Sequence, residues 1–181
     1  MKIWQLSFDF NNYADLQAIP PLTADEIQSF NGSKKLASWS PRRVKPIETE
    51  LELGDAPGFT IPVFSQKACD VLMPLIEQDV ELLPLLSSKG TFFGVNVTNV
   101  LDVIDYDNSI FRRFSDGKRI MAFQKYSFRV CDALNRCNIF KIIDEPTRKA
   151  FVSDRVKVAI EENNLKGFSL RLVWDNEEMN S

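Results

Sequence analysis

The chain of 181 residues contains no histidine. Histidine is the side chain most often used as a general base and is a common metal ligand, so its absence excludes Ser-His-Asp and Cys-His catalytic arrangements. The three cysteines, Cys69, Cys131 and Cys137, include no C-x-x-C pair, which leaves too few soft ligands for a zinc site. We therefore expect a protein that is not an enzyme and that holds no metal or other cofactor.

Long apolar runs and a basic excess are also missing. No apolar run approaches the roughly 20 residues that span a bilayer, and the N-terminus lacks the apolar core of a secretory signal, which predicts a cytoplasmic protein without a membrane partner. The net charge is −3, whereas a dedicated nucleic-acid binder usually carries a basic excess. The charge thus disfavours nucleic acid as a partner and suits a basic protein.

Two of the cysteines flank a short polar segment. Cys131 and Cys137 enclose Asp-Ala-Leu-Asn-Arg, a pattern that predicts a hairpin turn with the two thiols opposite each other. A disulfide between them is geometrically possible, while reduced thiols are usual in the cytoplasm. The sequence leaves open whether they pair.

A unit of similar layout occurs twice, at residues 61–84 and 150–173. Each copy has a short apolar run, then Ser65 or Ser153, then an apolar helical face, then alternating residues typical of a strand. Serine is a common N-cap, so both serines are expected to cap their helices. Pro74 predicts that the first helix stops or kinks near residue 72, and the second, over 154–164, is expected to be longer.

The remaining patterns predict strands over 3–10, 47–53, 91–97, 119–130 and 138–143, and a helix over 24–30. Residues 138–143 are a candidate hairpin partner for residues 119–130. Together these elements predict a single α+β domain over residues 1–181, with a mostly antiparallel sheet, a few helices on one side, and the two strand–helix–strand units as part of it.

Three motifs also carry a family resemblance. They are P-V-x-S followed by an amphipathic helix and E-L-L-P (62–84), L-D-x-x-D-x-x-x-S (101–109), and F-V-S-x-x-V-K with a later G-F (151–168). In this order they resemble the immunity protein 11 family of bacterial polymorphic toxin systems, with 59–174 as the family-like core and 1–58 as a more variable part. The resemblance implies a small cytoplasmic protein that binds and neutralises a cognate toxin by direct contact, without chemistry of its own.

An acidic stripe is the first candidate for the toxin-binding surface. Alternation over 47–53 would place Glu48, Glu50 and Glu52 on one strand face, with Asp55 beyond them. We interpret the stripe as a docking surface for a basic toxin, for example a nuclease, and Trp39 on the neighbouring loop as its anchor. The alternatives are a solvated strand face that discourages edge pairing and a tryptophan that covers the core.

A second candidate surface lies at a predicted turn with Asp102, Asp105 and Asp107. Carboxylates in this density would suit a divalent cation, but the spacing of a calcium loop is absent, and turn capping by Asp is the common alternative.

Basic pairs suggest a different function. Arg42-Arg43 and Arg112-Arg113 lie among aromatic residues, a combination found on single-strand nucleic-acid surfaces. The second hypothesis is therefore a non-catalytic nucleic-acid-associated or regulatory interaction domain that uses these arginines. The acidic total and the lack of a recognised RNA-binding motif disfavour it. The alternative is a solvated face whose aromatic residues pack into the core.

Overall fold

A computed structural model of the chain describes residues 1–47 and 50–177. The α-helices are α1 (Ala24–Gln28), α2 (Gln66–Ile76), α3 (Asp132–Arg136) and α4 (Asp154–Glu162). The strands are β1 (Lys2–Phe8), β2 (Leu16–Ile19), β3 (Arg42–Pro46), β4 (Val63–Ser65), β5 (Val80–Leu86), β6 (Phe92–Val97), β7 (Val100–Leu101), β8 (Ile110–Arg113), β9 (Ile120–Lys125), β10 (Ile139–Ile142), β11 (Phe151–Ser153) and β12 (Phe168–Asp175). The α+β class predicted from the sequence is confirmed.

The strands form two five-stranded sheets and a two-stranded ribbon. The first sheet has the order β12-β1-β11-β10-β7, the second has the order β2-β3-β5-β6-β4, and β8 pairs with β9. Most neighbours are antiparallel; β3 with β5 and β7 with β10 run parallel. The predicted antiparallel character therefore holds, although the strands are divided between separate sheets.

The two repeated units are confirmed as β4-α2-β5 and β11-α4-β12. In neither unit do the two strands pair with each other. An antiparallel strand separates them, β6 in the first unit and β1 in the second. The helices α2 and α4 contact each other. Because β1 lies between β11 and β12, the N-terminal segment supplies the strand that joins the two strands of the second unit.

The helix lengths differ from the prediction. Helix α2 runs through Pro74 to Ile76, and with eleven residues it is longer than α4, which has nine. Pro74 lies on the exposed side of α2, where water can satisfy the carbonyl that loses its partner, while Leu72 and Ile76 are buried. Burial of this apolar face therefore outweighs the local cost of the proline.

Two strand predictions were wrong. Residues 50–54 are bends and coil rather than part of a strand. Strand β10 pairs with β11 and β7, whereas β9 pairs with β8, so the expected hairpin between 119–130 and 138–143 does not form. Alternation predicts that a segment is extended, but partner choice depends on contacts distant in sequence.

The cysteine segment was also predicted wrongly. Helix α3 occupies 132–136 in place of a hairpin turn, with Cys131 and Cys137 at its two ends. All three cysteines are free thiols.

The main core cluster joins both sheets and both unit helices. It includes Leu6 of β1, Phe64 of β4, Leu72 of α2, Val152 of β11 and Val156 of α4. Because α2 and α4 bury their apolar faces in the same cluster, the two units share one hydrophobic core. Within residues 1–47 and 50–177, no helix is long and apolar enough to cross a membrane.

The two serines act differently. Ser65 caps α2 as predicted, because its Oγ accepts the Ala68 N–H at 3.1 Å. Ser153 has the backbone conformation of a cap but forms no capping hydrogen bond. Its hydroxyl donates instead to Asn138 Oδ1 at 2.7 Å, while Asn138 Nδ2 donates to the Leu75 carbonyl at 2.9 Å. Asn138 therefore links the two units.

Candidate functional site

The first acidic surface is less regular than the sequence suggested. Glu48 lies outside the described residues, Glu50 is exposed, and Glu52 is exposed in an ion pair with Lys166 at 2.9 Å. Because residues 50–54 do not form a strand, the glutamates do not share one strand face. Glu50 and Glu52 remain surface carboxylates that a partner can reach.

Asp55 is mainly an internal contact. Its side chain is only 13% exposed. One carboxylate oxygen accepts the Ser65 hydroxyl at 2.8 Å, and the other accepts the Lys166 N–H at 2.9 Å. Lys67 Nζ lies 3.6 Å from the second oxygen. Asp55 thus joins the start of α2 to the segment after α4 and positions the loop that carries Glu50 and Glu52.

Trp39 packs against the core and also lines a surface groove. It is half-buried, its indole N–H donates to the Pro84 carbonyl at 2.9 Å, and its ring meets Phe30 edge-on. The same tryptophan lines a groove of about 660 Å³ whose wall includes Ile19, Arg42 and Leu86. Ile19 and Leu86 are 42% and 53% exposed, so the groove offers apolar surface next to a partly covered aromatic ring.

The second acidic surface contains a turn that is held from within. Asp105 accepts the N–H groups of Asp107 and Asn108 and the Asn108 side-chain amide, which is bonded at 2.7 Å. The Asn108 amide, followed by the two backbone groups, lowers the pKa of Asp105. Asp102 pairs with Arg129 at 3.0 Å, and Asp107 is exposed. Turn stabilisation thus accounts for Asp105, while Asp102 and Asp107 present carboxylates to solvent.

A tyrosine extends this second surface. The Tyr106 hydroxyl donates to Asp144 at 3.0 Å, and its ring meets Phe111 edge-on. Burial, followed by the bond to Asp144, raises the pKa of Tyr106 to about 12. Sequence reasoning missed Asp144 because it lies far from the aspartate turn along the chain. In the described part of the chain, no group of three or more acidic or cysteine side chains has a geometry suited to a metal ion.

The two basic pairs lie on different sheets. Arg42 on β3 forms an ion pair with Glu26, and Arg43 beside it is exposed. Arg112 and Arg113 lie on β8 in the separate ribbon, where both are exposed. The four arginines therefore lie on two separate structural elements, β3 of the second sheet and β8 of the ribbon.

These features define an α+β chain with several surface patches of mixed apolar and charged character. The sequence model of the immunity protein family Imm11 matches residues 84–175, half of the chain. The chain belongs to the immunity protein family Imm11, which confirms the resemblance found in the sequence. The matched span begins at residue 84, whereas the motifs placed the family-like part from residue 59. A comparison with curated proteins found no match.

Proposed function

We propose that this protein binds a cognate bacterial toxin domain directly and neutralises it in the cytoplasm. The observation that carries this proposal is the family match over residues 84–175. An immunity role of this kind requires a surface that covers the toxin's active site or a neighbouring region, and it requires no chemistry from the immunity protein.

The environment of two of the three thiols supports a non-catalytic role. Burial raises the pKa of both Cys69 and Cys137 to about 12. At neutral pH these thiols stay protonated, and a protonated thiol is a poor nucleophile. Together with the lack of histidine, this favours a binding protein over a hydrolase.

The proposed contact surface consists of Glu50, Glu52 and the groove at Trp39, with Glu48 included from its sequence position. Asp55 has intramolecular partners for both carboxylate oxygens, so we assign it to positioning the loop. Exposed carboxylates suit a toxin with a basic face, as presented by a nuclease that must attract phosphate. Opposite charges of this kind mainly accelerate association and set specificity.

The test is binding to the toxin domain encoded beside this gene. We expect the two proteins to co-purify and to bind one to one in isothermal titration calorimetry. The double variant Glu50→Lys and Glu52→Lys should slow association several-fold at low salt and less at high salt, because salt screens exposed charges. The control Glu77→Lys with Glu162→Lys changes the net charge equally at exposed positions elsewhere and should have a smaller effect.

Two outcomes would change this assignment. Absence of any binding between the wild-type protein and the toxin domain would contradict the proposed function. If Glu50 and Glu52 do not affect association, while Asp102→Lys with Asp107→Lys abolishes protection of cells, the contact lies on the central turn instead. Asp105 is left intact in that variant because it holds the turn.

A further inference from the structure

The β8–β9 ribbon, residues 110–125, stands apart from both sheets. Within the residues described, β8 and β9 pair only with each other. The end of the ribbon opposite its turn is packed on the protein, since Phe123 is buried and stacks on Tyr126 with ring centroids 4.8 Å apart. Phe111 packs against Phe123 at 5.6 Å. The ribbon is thus anchored by aromatic contacts, while most of its turn is exposed.

The charge of the ribbon opposes that of the remaining chain. Residues 110–125 contain five cations, Arg112, Arg113, Lys118, Arg119 and Lys125, and one acid, Asp116. The ribbon therefore contributes +4 to a chain whose net charge is −3, which leaves −7 for all other residues. A concentration of positive charge in one short hairpin of an otherwise acidic chain is typical of a surface that binds an oppositely charged partner.

The only acid of the ribbon is occupied by the turn itself. Asp116 accepts the N–H groups of Lys118 and Arg119 at 2.9 and 3.2 Å, and it pairs with the Arg119 side chain at 3.0 Å. In contrast, in the described part of the chain Arg112, Lys118 and Lys125 form no ion pair with an acidic side chain. Their charges are available to a partner.

Two arginines are held in place by aromatic rings. The Arg113 guanidinium lies 5.0 Å from the centre of the Phe111 ring and donates to the Lys118 carbonyl at 3.0 Å. The Arg119 guanidinium lies 5.0 Å from the centre of the Phe114 ring. Contacts of this kind restrict a long side chain before binding, which lowers the entropy lost when it meets a carboxylate.

We propose that the β8–β9 ribbon docks on a carboxylate-rich patch of the toxin domain. This inference rests on the proposed function and adds a second contact, of opposite sign to the acidic surface at Glu50 and Glu52. Guanidinium groups bind carboxylates through paired hydrogen bonds, and the exposed side chains of Ile110 and Met121 add apolar area beside them. The partner is then a toxin with a basic face and a separate acidic patch.

Protein is favoured over nucleic acid as the occupant. Binding of single strands to hairpins of this kind relies on aromatic faces that stack on bases, yet Phe111 and Phe114 each have a guanidinium over the ring. The charge of −7 outside the ribbon also repels a polyphosphate chain.

The experiment measures the affinity of the full-length protein for the purified toxin domain. The ribbon variant carries Arg112→Glu and Lys118→Glu, whose side chains are exposed. The control variant carries Lys34→Glu and Lys89→Glu, two exposed lysines outside the ribbon, so both variants change the net charge equally. Urea denaturation of each protein checks that the fold is retained.

We expect the ribbon variant to bind at least tenfold more weakly than wild type and the control to bind within threefold. The dependence of affinity on NaCl should also be shallower for the ribbon variant, because fewer charge contacts remain.

Equal weakening of the two variants, or wild-type affinity in the ribbon variant, would overturn this inference while leaving toxin binding intact. No binding by the wild-type protein would overturn both proposals. Ribbon-dependent binding of a labelled RNA or DNA oligonucleotide at 150 mM NaCl, with unchanged toxin affinity, would assign the ribbon to nucleic acid instead.

Discussion

Asp55 illustrates how a surface charge in the sequence becomes a structural contact in the fold. Its carboxylate binds the hydroxyl of Ser65 and the N–H of Lys166, which belong to segments about a hundred residues apart. Neighbouring Glu50 is exposed. Replacing Asp55 therefore tests its contribution to stability, whereas replacing Glu50 tests its contribution to partner binding.

We expect Asp55→Ala to destabilise the protein by about 2–3 kcal/mol, since hydrogen bonds to a charged group are lost and their donors are left without a partner. Glu50→Ala should change the free energy of unfolding by less than about 0.5 kcal/mol. Urea denaturation with an unchanged slope measures both values. Equal effects of the two substitutions would show that Asp55 does not hold the loop.

Lys141 is the most deeply buried cation among the described residues, with 4% of its surface exposed. Its ammonium donates to the Phe30 carbonyl at 2.6 Å, and burial lowers its pKa to about 8. Below pH 8 the group is charged in both the folded and unfolded states. Between about pH 8 and 10.5 the unfolded chain holds this proton more tightly, so the contribution of Lys141 to stability rises with pH.

The pH dependence can be isolated with Lys141→Met, which cannot titrate. The unfolding free energy of the variant minus that of wild type should fall by roughly 3 kcal/mol between pH 7.5 and 10.5, because the desolvation cost of the wild-type ammonium disappears over this interval. Urea denaturation at several pH values gives the difference. A difference that stays constant with pH would contradict the lowered pKa.

At the scale of elements, the two units share a strand–helix–strand layout but use their serines in different ways. Ser65 caps α2 and also donates to Asp55, whereas Ser153 donates to Asn138. Asn138 in turn binds the last turn of α2. The Ser153 hydroxyl therefore connects the start of α4 to Asn138, which lies between the units in sequence, and does not cap the helix.

A double-mutant cycle tests this difference. Ser153→Ala should cost about 1 kcal/mol, and in an Asn138→Ala background it should cost much less, because the bond is already lost. Ser65→Ala should cost about 1 kcal/mol in either background, since its cap does not involve Asn138. Additive effects of Ser153→Ala and Asn138→Ala would mean that the hydroxyl stabilises the helix independently of Asn138.

At the scale of the whole molecule, the N-terminal segment belongs to the core. Strand β1 lies between β11 and β12, and Leu6 is buried in the cluster that joins both units. The sequence motifs had separated residues 1–58 from the family-like core. The structure places the first strand of that segment inside a sheet, between the two strands of the second unit.

We therefore expect a fragment of residues 59–181 not to fold, although it contains the whole family-matched span. Far-UV circular dichroism during heating should show no cooperative transition for the fragment, in contrast to the full chain. A fragment with a sharp transition and native-like chemical shifts would show that β1 is dispensable.

The sequence by itself determined the elements whose signals are local. The capping box at Thr23 and Glu26, the cap at Ser65 and the alternation over 91–97 all correspond to observed elements, because each depends on residues within a few positions of one another. The family motifs likewise indicated the family that the match over 84–175 shows.

Only the tertiary structure decided which strands pair and which charges remain free. Asp55 and Lys166, or Tyr106 and Asp144, meet because distant segments pack together. Residues 47–53 alternate like a strand, yet residues 50–53 do not form one. Pro74 lies within a helix that a buried face stabilises. Pairing and burial depend on the whole core, whereas alternation and propensity report only on neighbours along the chain.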